Sequence, residues 1–450
     1  MMVRGRRHGK RRRRELLSAW RTYGLVVLAM IFGLRMYSTR VKVRPYECKD
    51  IDLPSISQNK LCMISLEPND SPLLPDDLCS SYSYPNLGIL FASKNKFTLV
   101  PQVLGSCPTL QMVSFKSNQI TTIHPNAFKP QLRWLILTDN KIKQLPTTIG
   151  NAKALQKLML SGNQLSSLPT QISECTNLEL IRLASNQLTE PPMDLLQLPK
   201  LAWIALSGNP FLAGIAEMVP SSLTILKDDI LETGGIVVGE GTSGIARKVA
   251  WNGKTVAVKT YKGTITSDGS PLEERHINVV VASINHESLV RVYGQTPNGS
   301  LVMEFLEGYT PFGQPPSMDS CSRDVYPDEQ DLTPKQANMM VTNLLEVLAE
   351  LHKHGITHGD FYGHNILVKE NSVKLSDFGA SFFYDKDAPY GEYIQKIEMR
   401  AFGHLVKEIE MLLGRREAVN PLRKSLKLLH AACFDMLNFG ELDTYWASLQ

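Results

Sequence analysis

The chain has 450 residues, 43% of them apolar and 20% charged, with a formal net charge of +4. That apolar share, at that length, can fill two hydrophobic cores and excludes a disordered or collagen-like chain. Its seven cysteines show neither metal-ligand spacing nor a dense framework, and an odd number so thinly spread suits reduced thiols.

Charge is unevenly placed along the chain. Residues 1–44 hold 13 Lys and Arg against Glu15 alone, a local charge of +12, so the remainder carries −8. The basic run Arg11 to Arg14 precedes an apolar stretch, Tyr23 to Leu34. This stretch is short of the ~20 residues a spanning helix wants, although Arg21 and Arg35 could snorkel. A signal peptide or anchor, an organellar transit peptide and an amphipathic surface anchor compete for it. The expectation is a targeting or membrane-anchor segment, making the chain membrane-associated or organelle-targeted, with its C-terminal half facing the cytosol or another ATP-containing compartment. Nucleic-acid binding is not expected, because no folded partner accompanies the arginines.

Residues 45–86 read as a divergent cap. Leu74-Pro75 echoes a repeat turn, but the framing leucines are irregular. Cys48, Cys62 and Cys79 lie ahead of the first clear repeat and would staple this cap only if the chain were exported.

A repeat occupies residues 87–224. Asn95, Asn118, Asn140, Asn163, Asn186 and Asn209 recur at intervals of 22 or 23 residues, each closing a frame such as Leu155-x-x-Leu158-x-Leu160-x-x-Asn163. This is the leucine-rich-repeat signature: a short strand, an Asn that satisfies buried backbone groups, and a return arc. Six such units stack into one core beneath a concave sheet. Leu145-Pro146 and Leu168-Pro169 turn the chain on the convex side. Arg133 and Trp134, Gln156 and Lys157, Glu179 and Arg182, and Ala202 and Trp203 fall between the framing leucines, on the solvent side. A protein partner is expected on this concave face, with lateral packing of Trp203 against neighbouring repeats as the alternative.

Beyond residue 228 the pattern changes. Gly239-Glu240-Gly241-Thr242-Ser243-Gly244 follows the apolar run Ile236 to Val238, and Asn252-Gly253 then signals a type I′ hairpin. A dinucleotide fingerprint would open a helix at these glycines; a hairpin makes them a flap over a triphosphate. Val256-Ala257-Val258-Lys259 comes next. Further on, His358-Gly359-Asp360 is followed by Asn365, and then by Asp377-Phe378-Gly379. An Asp, an Asn five residues on and an Asp-Phe-Gly in that order are the spacing of phosphoryl transfer.

Residues 228–450 resemble eukaryotic-type protein kinases, and look closest to the leucine-rich-repeat protein kinases of bacteria and some algae. The His-Gly-Asp loop and the stretch Ser320 to Tyr326 prompt the latter comparison. The resemblance implies an α/β chain: a leucine-rich-repeat solenoid followed by a bilobal protein kinase-like domain with a shortened C-lobe. It implies ATP and Mg²⁺, and a protein kinase acting on Ser or Thr. The nucleotide would be held by Val238, Gly239, Gly241, Gly244, Ala257 and Lys259. Glu274 would pair with Lys259, with Glu273 as the alternative, and Met303, Glu304 and Leu306 would form the gatekeeper and hinge. Asp360 and Lys259 would be the catalytic pair; Asn365 and Asp377 would hold the metal.

Three departures mark this chain. Gly359 stands where these kinases have Arg, and Tyr362 where they have a Lys that would contact the γ-phosphate. No Ala-Pro-Glu follows Asp377, and Glu398-Met399-Arg400-Ala401-Phe402-Gly403, which resembles the start of the helix that in these kinases opens with Asp-x-x-x-Phe-Gly, begins only 21 residues on. Most of the segment that grips an extended peptide is therefore missing. These departures support an alternative, a nucleotide-binding pseudokinase scaffold acting through its repeats. A long hinge-side insertion, Pro311 to Pro334, reads as a loop. Pro334 to Leu351 and Ala401 to Leu413 read as helices.

Overall fold

The computed structural model describes residues 48–51, 61–68, 73–81, 83–215, 223–240, 244–261, 265–414, 420–436 and 438–450. The expected targeting segment, residues 1–44, and Gly241 lie outside these. Among the described residues no helix is long and apolar enough to cross a membrane.

The first half of the chain is an eight-stranded sheet whose strands follow chain order. They are β1 (Cys48–Ile51), β2 (Leu61–Ser65), β3 (Leu87–Phe91), β4 (Met112–Ser114), β5 (Trp134–Ile136), β6 (Lys157–Met159), β7 (Leu180–Arg182) and β8 (Trp203–Ala205). Only the β1–β2 pair is antiparallel; the rest run parallel, one strand per repeat. The Asn periodicity has a direct cause. Asn163 Nδ2 donates to the carbonyls of Leu160 at 2.8 Å and Leu137 at 2.9 Å, while its Oδ1 accepts from Ile142 N at 3.0 Å. Asn118, Asn140, Asn186 and Asn209 repeat this pattern. Each buried amide thus ties its own repeat to the one before it, satisfying groups that would otherwise be costly to bury. Short 3₁₀ turns after Pro101, Pro146 and Pro169 make the convex side.

The cysteine expectation needs correction. Cys79 is disulfide-bonded to Cys107, and Cys62 is also in a disulfide. The first bond ties the cap to the first repeat. Cys175, Cys321 and Cys433 are buried free thiols.

The second half is two-lobed. A five-stranded sheet is built from β9 (Ile236–Glu240), β10 (Gly244–Trp251), β11 (Lys254–Tyr261), β12 (Val292–Gln295) and β13 (Leu301–Glu304). The β9–β10 and β10–β11 pairs are antiparallel. Asn252 and Gly253 both have positive φ, 47° and 73°, as a type I′ turn requires. Helix α1 (Pro271–Val281) packs beneath this sheet, capped by Ser270. The lower lobe is helical: α2 (Pro334–Lys353), α3 (Gly391–Leu412), α4 (Pro421–Asp435) and α5 (Phe439–Ser448). Thr333 and Gln336 form a reciprocal capping box at α2.

Helix α3 starts ten residues before Ala401, so the segment after Asp377 is shorter still than the sequence reading allows. The reason is tertiary. Ile394 and Ile397 on its first turns, with Phe382, Tyr384 and Tyr390, are buried in the same core as the repeat leucines. Leu180, Ala202 and Trp203 of the repeats in turn belong to the lower lobe's core. The solenoid and the lower lobe are one packed body.

Candidate functional site

The site grows from four local features. On β11, alternation buries Val256 and Val258 in the upper-lobe core and turns Ala257 and Lys259 to the opposite face, over the cleft. Helix α1 buries Glu274 on the same inward face as Ile277, Val280 and Val281, one turn nearer its N-terminus. Lys259 Nζ makes an ion pair with Glu274, so Glu274 and not Glu273 is the partner; Ile277 is core. Burial alone would lower the Lys259 pKa, but Glu274 and Asp377 outweigh it and raise it, keeping the ammonium charged.

Below the sheet, Phe378 is buried against α1 in the lower-lobe core, which turns the adjoining Asp377 outward to the cleft. Asp377 takes a left-handed backbone, φ 61°, an uncommon conformation for a non-glycine residue. A cavity of about 260 Å³ lies between the lobes. It is lined by Ala257, Lys259, Glu274, Met303, Glu304, Leu306 and Asp377 among others. Val238, Gly239 and Gly244 do not line it: β9 is exposed along its length, and Gly244 is buried against the carbonyl of Thr260. The Glu304 carboxylate is engaged by Lys374 at 2.6 Å, so this residue can meet a nucleotide only through its main chain.

Asp360 and Asn365 sit on the catalytic-type loop. Asn365 Nδ2 donates to both the carbonyl and Oδ2 of Asp360, each at 2.9 Å. The loop is held from beneath by Glu398 of α3, whose carboxylate accepts from Gly359 N at 2.6 Å and His358 N at 3.0 Å. His352 Nε2 lies 2.8 Å from the same carboxylate. Burial would raise the Glu398 pKa, but the hydrogen bond and charge of His352 hold it low.

The concave face of the repeats, expected to be open to a partner, is covered by this chain's own second half. Arg182 is only 2% exposed and reaches the catalytic-type loop. Its guanidinium pairs with Asp360, donates to the carbonyl of Gly359 at 3.0 Å and meets Asp268, in the loop before α1, at 3.0 Å. Trp203 stacks on Tyr362 with ring centroids 4.2 Å apart and planes 5° from parallel, and its Nε1 donates to Phe361 O at 2.9 Å. Trp203 is thus packed across a domain boundary and not laterally along the solenoid. Gly359 has φ 73°, and a Cβ there would press into the carbonyl of Ile204 and lie 2.7 Å from that of Ala380. The hinge-side insertion lies on this face too. Glu179 accepts from Ser322 and from Arg323 Nη1 at 2.9 Å, and Arg133 reaches Asp319 O at 3.4 Å.

Burial would raise the Asp360 pKa; Arg182, followed by His364 and His358, outweighs it and holds the carboxyl below its ordinary value. Arg182 and Asp268 are the site residues that sequence reasoning missed. The available signal was the missing loop cation at Tyr362, which leaves Asp360 in need of a partner from elsewhere. Among the described residues no three His, Cys, Asp or Glu side chains cluster as a self-sufficient metal site. Asn365 with Asp377 nevertheless fits Mg²⁺, which takes one or two protein oxygens and completes its shell with water and phosphate.

Residues 234–401 match the protein kinase domain family, and residues 130–188 and 153–211 match the leucine rich repeat family. The chain is similar to the serine/threonine-protein kinase PknB of Mycolicibacterium smegmatis, 33% identical over 135 residues, covering 28% of this chain and 20% of that one. It is similar also to a protein of Acanthamoeba polyphaga mimivirus named "Putative serine/threonine-protein kinase L670", 25% identical over 209 residues, covering 45% of this chain and 34% of that one. These matches therefore span a fifth to a third of the relatives' own length. A leucine-rich-repeat protein structure from Leptospira interrogans aligns at 29% identity and a TM-score of 0.26, covering 30% of this chain and 40% of that one.

Proposed function

We propose that this chain, which carries a protein kinase domain behind leucine-rich repeats, transfers the γ-phosphoryl group of ATP to a Ser or Thr hydroxyl. The observation that carries this reading is that Lys259, Glu274 and Asp377 line one inter-lobe cleft, while Asn365, hydrogen-bonded to Asp360, accepts at its carbonyl from the cleft residue Ser376 at 3.0 Å. Ala257, Met303 and Leu306 would enclose the adenine, and Lys259 would bind the phosphates. Asp360 would orient the acceptor hydroxyl and take its proton. The acceptor oxygen–phosphorus bond forms as the bond from phosphorus to the β–γ bridging oxygen breaks, and ADP leaves with that electron pair. Asn365 and Asp377 would hold Mg²⁺, which supplies charge neutralisation of the phosphates.

A partner protein would have to engage the convex or lateral surfaces of the repeats, because the concave side chains are already in contact with the kinase half. Residues 1–44 would serve for targeting or membrane contact. The Cys79–Cys107 disulfide favours an oxidising compartment, which fits a spanning segment with the basic N-terminus left in the cytosol.

The pseudokinase scaffold is the second reading, favoured by the covering of Asp360 by a repeat side chain. The deciding experiment is ³²P transfer from Mg-ATP by the full chain, beside Asp360→Ala and Lys259→Met, with autophosphorylation and a generic acceptor as readouts. Transfer abolished by both substitutions is expected. No transfer by the parent, with its melting temperature still raised by ATP, would leave the scaffold.

A further inference from the structure

We infer that the repeats complete the phosphotransfer site by supplying Arg182 as a positioning residue for Asp360. The inference rests on the phosphotransferase reading above and adds a dependence of that chemistry on the docked solenoid.

Arg182 is anchored in three directions at once: to Asp360, to Asp268 at 3.0 Å and to Gly359 O at 3.0 Å. A planar guanidinium suits such a fork, and it fixes the carboxylate plane as well as its charge. The second oxygen of Asp360 is held by Asn365 at 2.9 Å. Each carboxylate oxygen has two lone pairs, so both anchors leave capacity to accept the hydrogen of an acceptor hydroxyl.

The loop itself cannot provide this cation. Tyr362 occupies the position where one is expected, and its ring is buried against Trp203. Lys259 is committed to Glu274. Without Arg182, Asp360, Asp268 and Asp377 would share a partly enclosed cleft with no remaining arginine or lysine paired to Asp360. Of its two side-chain anchors Asp360 would then keep only Asn365, which holds one carboxylate oxygen and does not fix the plane. Gly359 makes room for the arrangement, since Ile204 N donates to its carbonyl at 3.1 Å.

The same contact could be read as an inhibitory lock. A lock must open, however, and opening here would expose Trp203, Phe382, Tyr384, Ile394 and Ile397, all buried in cores shared by the two halves. An interface of that kind resembles a domain core cut in half and stays closed.

The test uses the full chain with Mg-ATP and a generic Ser/Thr acceptor, comparing parent, Arg182→Met and Arg182→Lys. The readouts are kcat and KM for ATP, with the melting shift caused by Mg-ATP confirming an intact cleft. For Arg182→Met the expected result is a fall in kcat of about 100-fold with KM for ATP little changed. Arg182→Lys should recover part of the rate, and decides the matter if Arg182→Met fails to fold. Faster transfer in either variant would make the contact a lock and overturn the inference, as would unchanged rates. An inactive parent overturns the phosphotransferase reading together with this inference; an active parent with indifferent Arg182 variants overturns this inference alone.

Discussion

Replacing Gly359 by Arg would restore the residue that resembling kinases carry before the catalytic Asp, yet the structure requires the substitution to be damaging. Gly359 has φ 73°, and a side chain there would collide with the carbonyl of Ile204 and approach that of Ala380 to 2.7 Å. The left-handed backbone costs a non-glycine residue ~1 kcal/mol. Displacing well-packed neighbours adds ~2 kcal/mol, and loss of the 3.1 Å hydrogen bond from Ile204 N to Gly359 O adds ~1 kcal/mol. The sum is about 4 kcal/mol, concentrated where the solenoid meets the loop. At ~2–4 °C per kcal/mol this lowers the melting temperature by about 10 °C. Thermal unfolding of Gly359→Arg beside the parent measures this, and amide hydrogen exchange at Ile204 should accelerate as the pairing is lost. A variant with unchanged melting, unchanged protection at Ile204 and equal or greater transfer would refute the reasoning.

Two further outcomes follow from buried groups away from the cleft. Burial raises the Glu408 pKa from 4.5 to about 7, although the Tyr326 hydroxyl donating at 2.6 Å works the other way. A carboxyl whose folded pKa is raised contributes stability below its unfolded pKa and loses it as pH rises through the folded one. Glu408→Gln should therefore gain stability relative to the parent between pH 4.5 and about 7. His404 contributes with the opposite sign over part of that range in both proteins, so the difference in urea midpoint isolates Glu408; a flat difference would contradict the assignment. Cys79→Ser opens a disulfide loop spanning 28 residues, and should destabilise the cap by about 3–4 kcal/mol. Non-reducing peptide mapping should recover the Cys79–Cys107 pair from the parent, and its absence would count against the oxidised cap.

How legible each part was depended on how local its cause is. The Asn ladder was readable because each amide bonds to its own and the preceding repeat, which forces a period of 22 or 23 residues. The spacing of Asp360, Asn365 and Asp377 was readable because one loop and the following hairpin carry all three. Glu274 could be preferred over Glu273 but not chosen outright, since Ser270 as the α1 cap sets which face turns to Lys259. The start of α3 was missed because Ile394 and Ile397 bury against leucines of another domain, a partner that periodicity does not reveal. Cys79 and Cys107 looked unrelated until the first repeat brought their Cα atoms to 5.0 Å.

The concave face shows the limit most clearly. Arg182 and Trp203 occupy alternate positions that in an isolated solenoid face solvent, and nothing in their own repeats says otherwise. Gly359, Tyr362 and the short segment after Asp377 looked like separate losses from a kinase pattern. Together they are the space, the stacking surface and the opening that the solenoid needs to dock. Repeat period and loop spacing are set by hydrogen bonds between near neighbours, so the sequence alone determined the two architectures and singled out Lys259, Asp360, Asn365 and Asp377, while Val238, Gly239 and Gly244, expected at the cleft, do not line it. Which surface covers Asp360, and with what charge, is set by the fit of faces nearly 180 residues apart in the chain, and only the tertiary structure decided it.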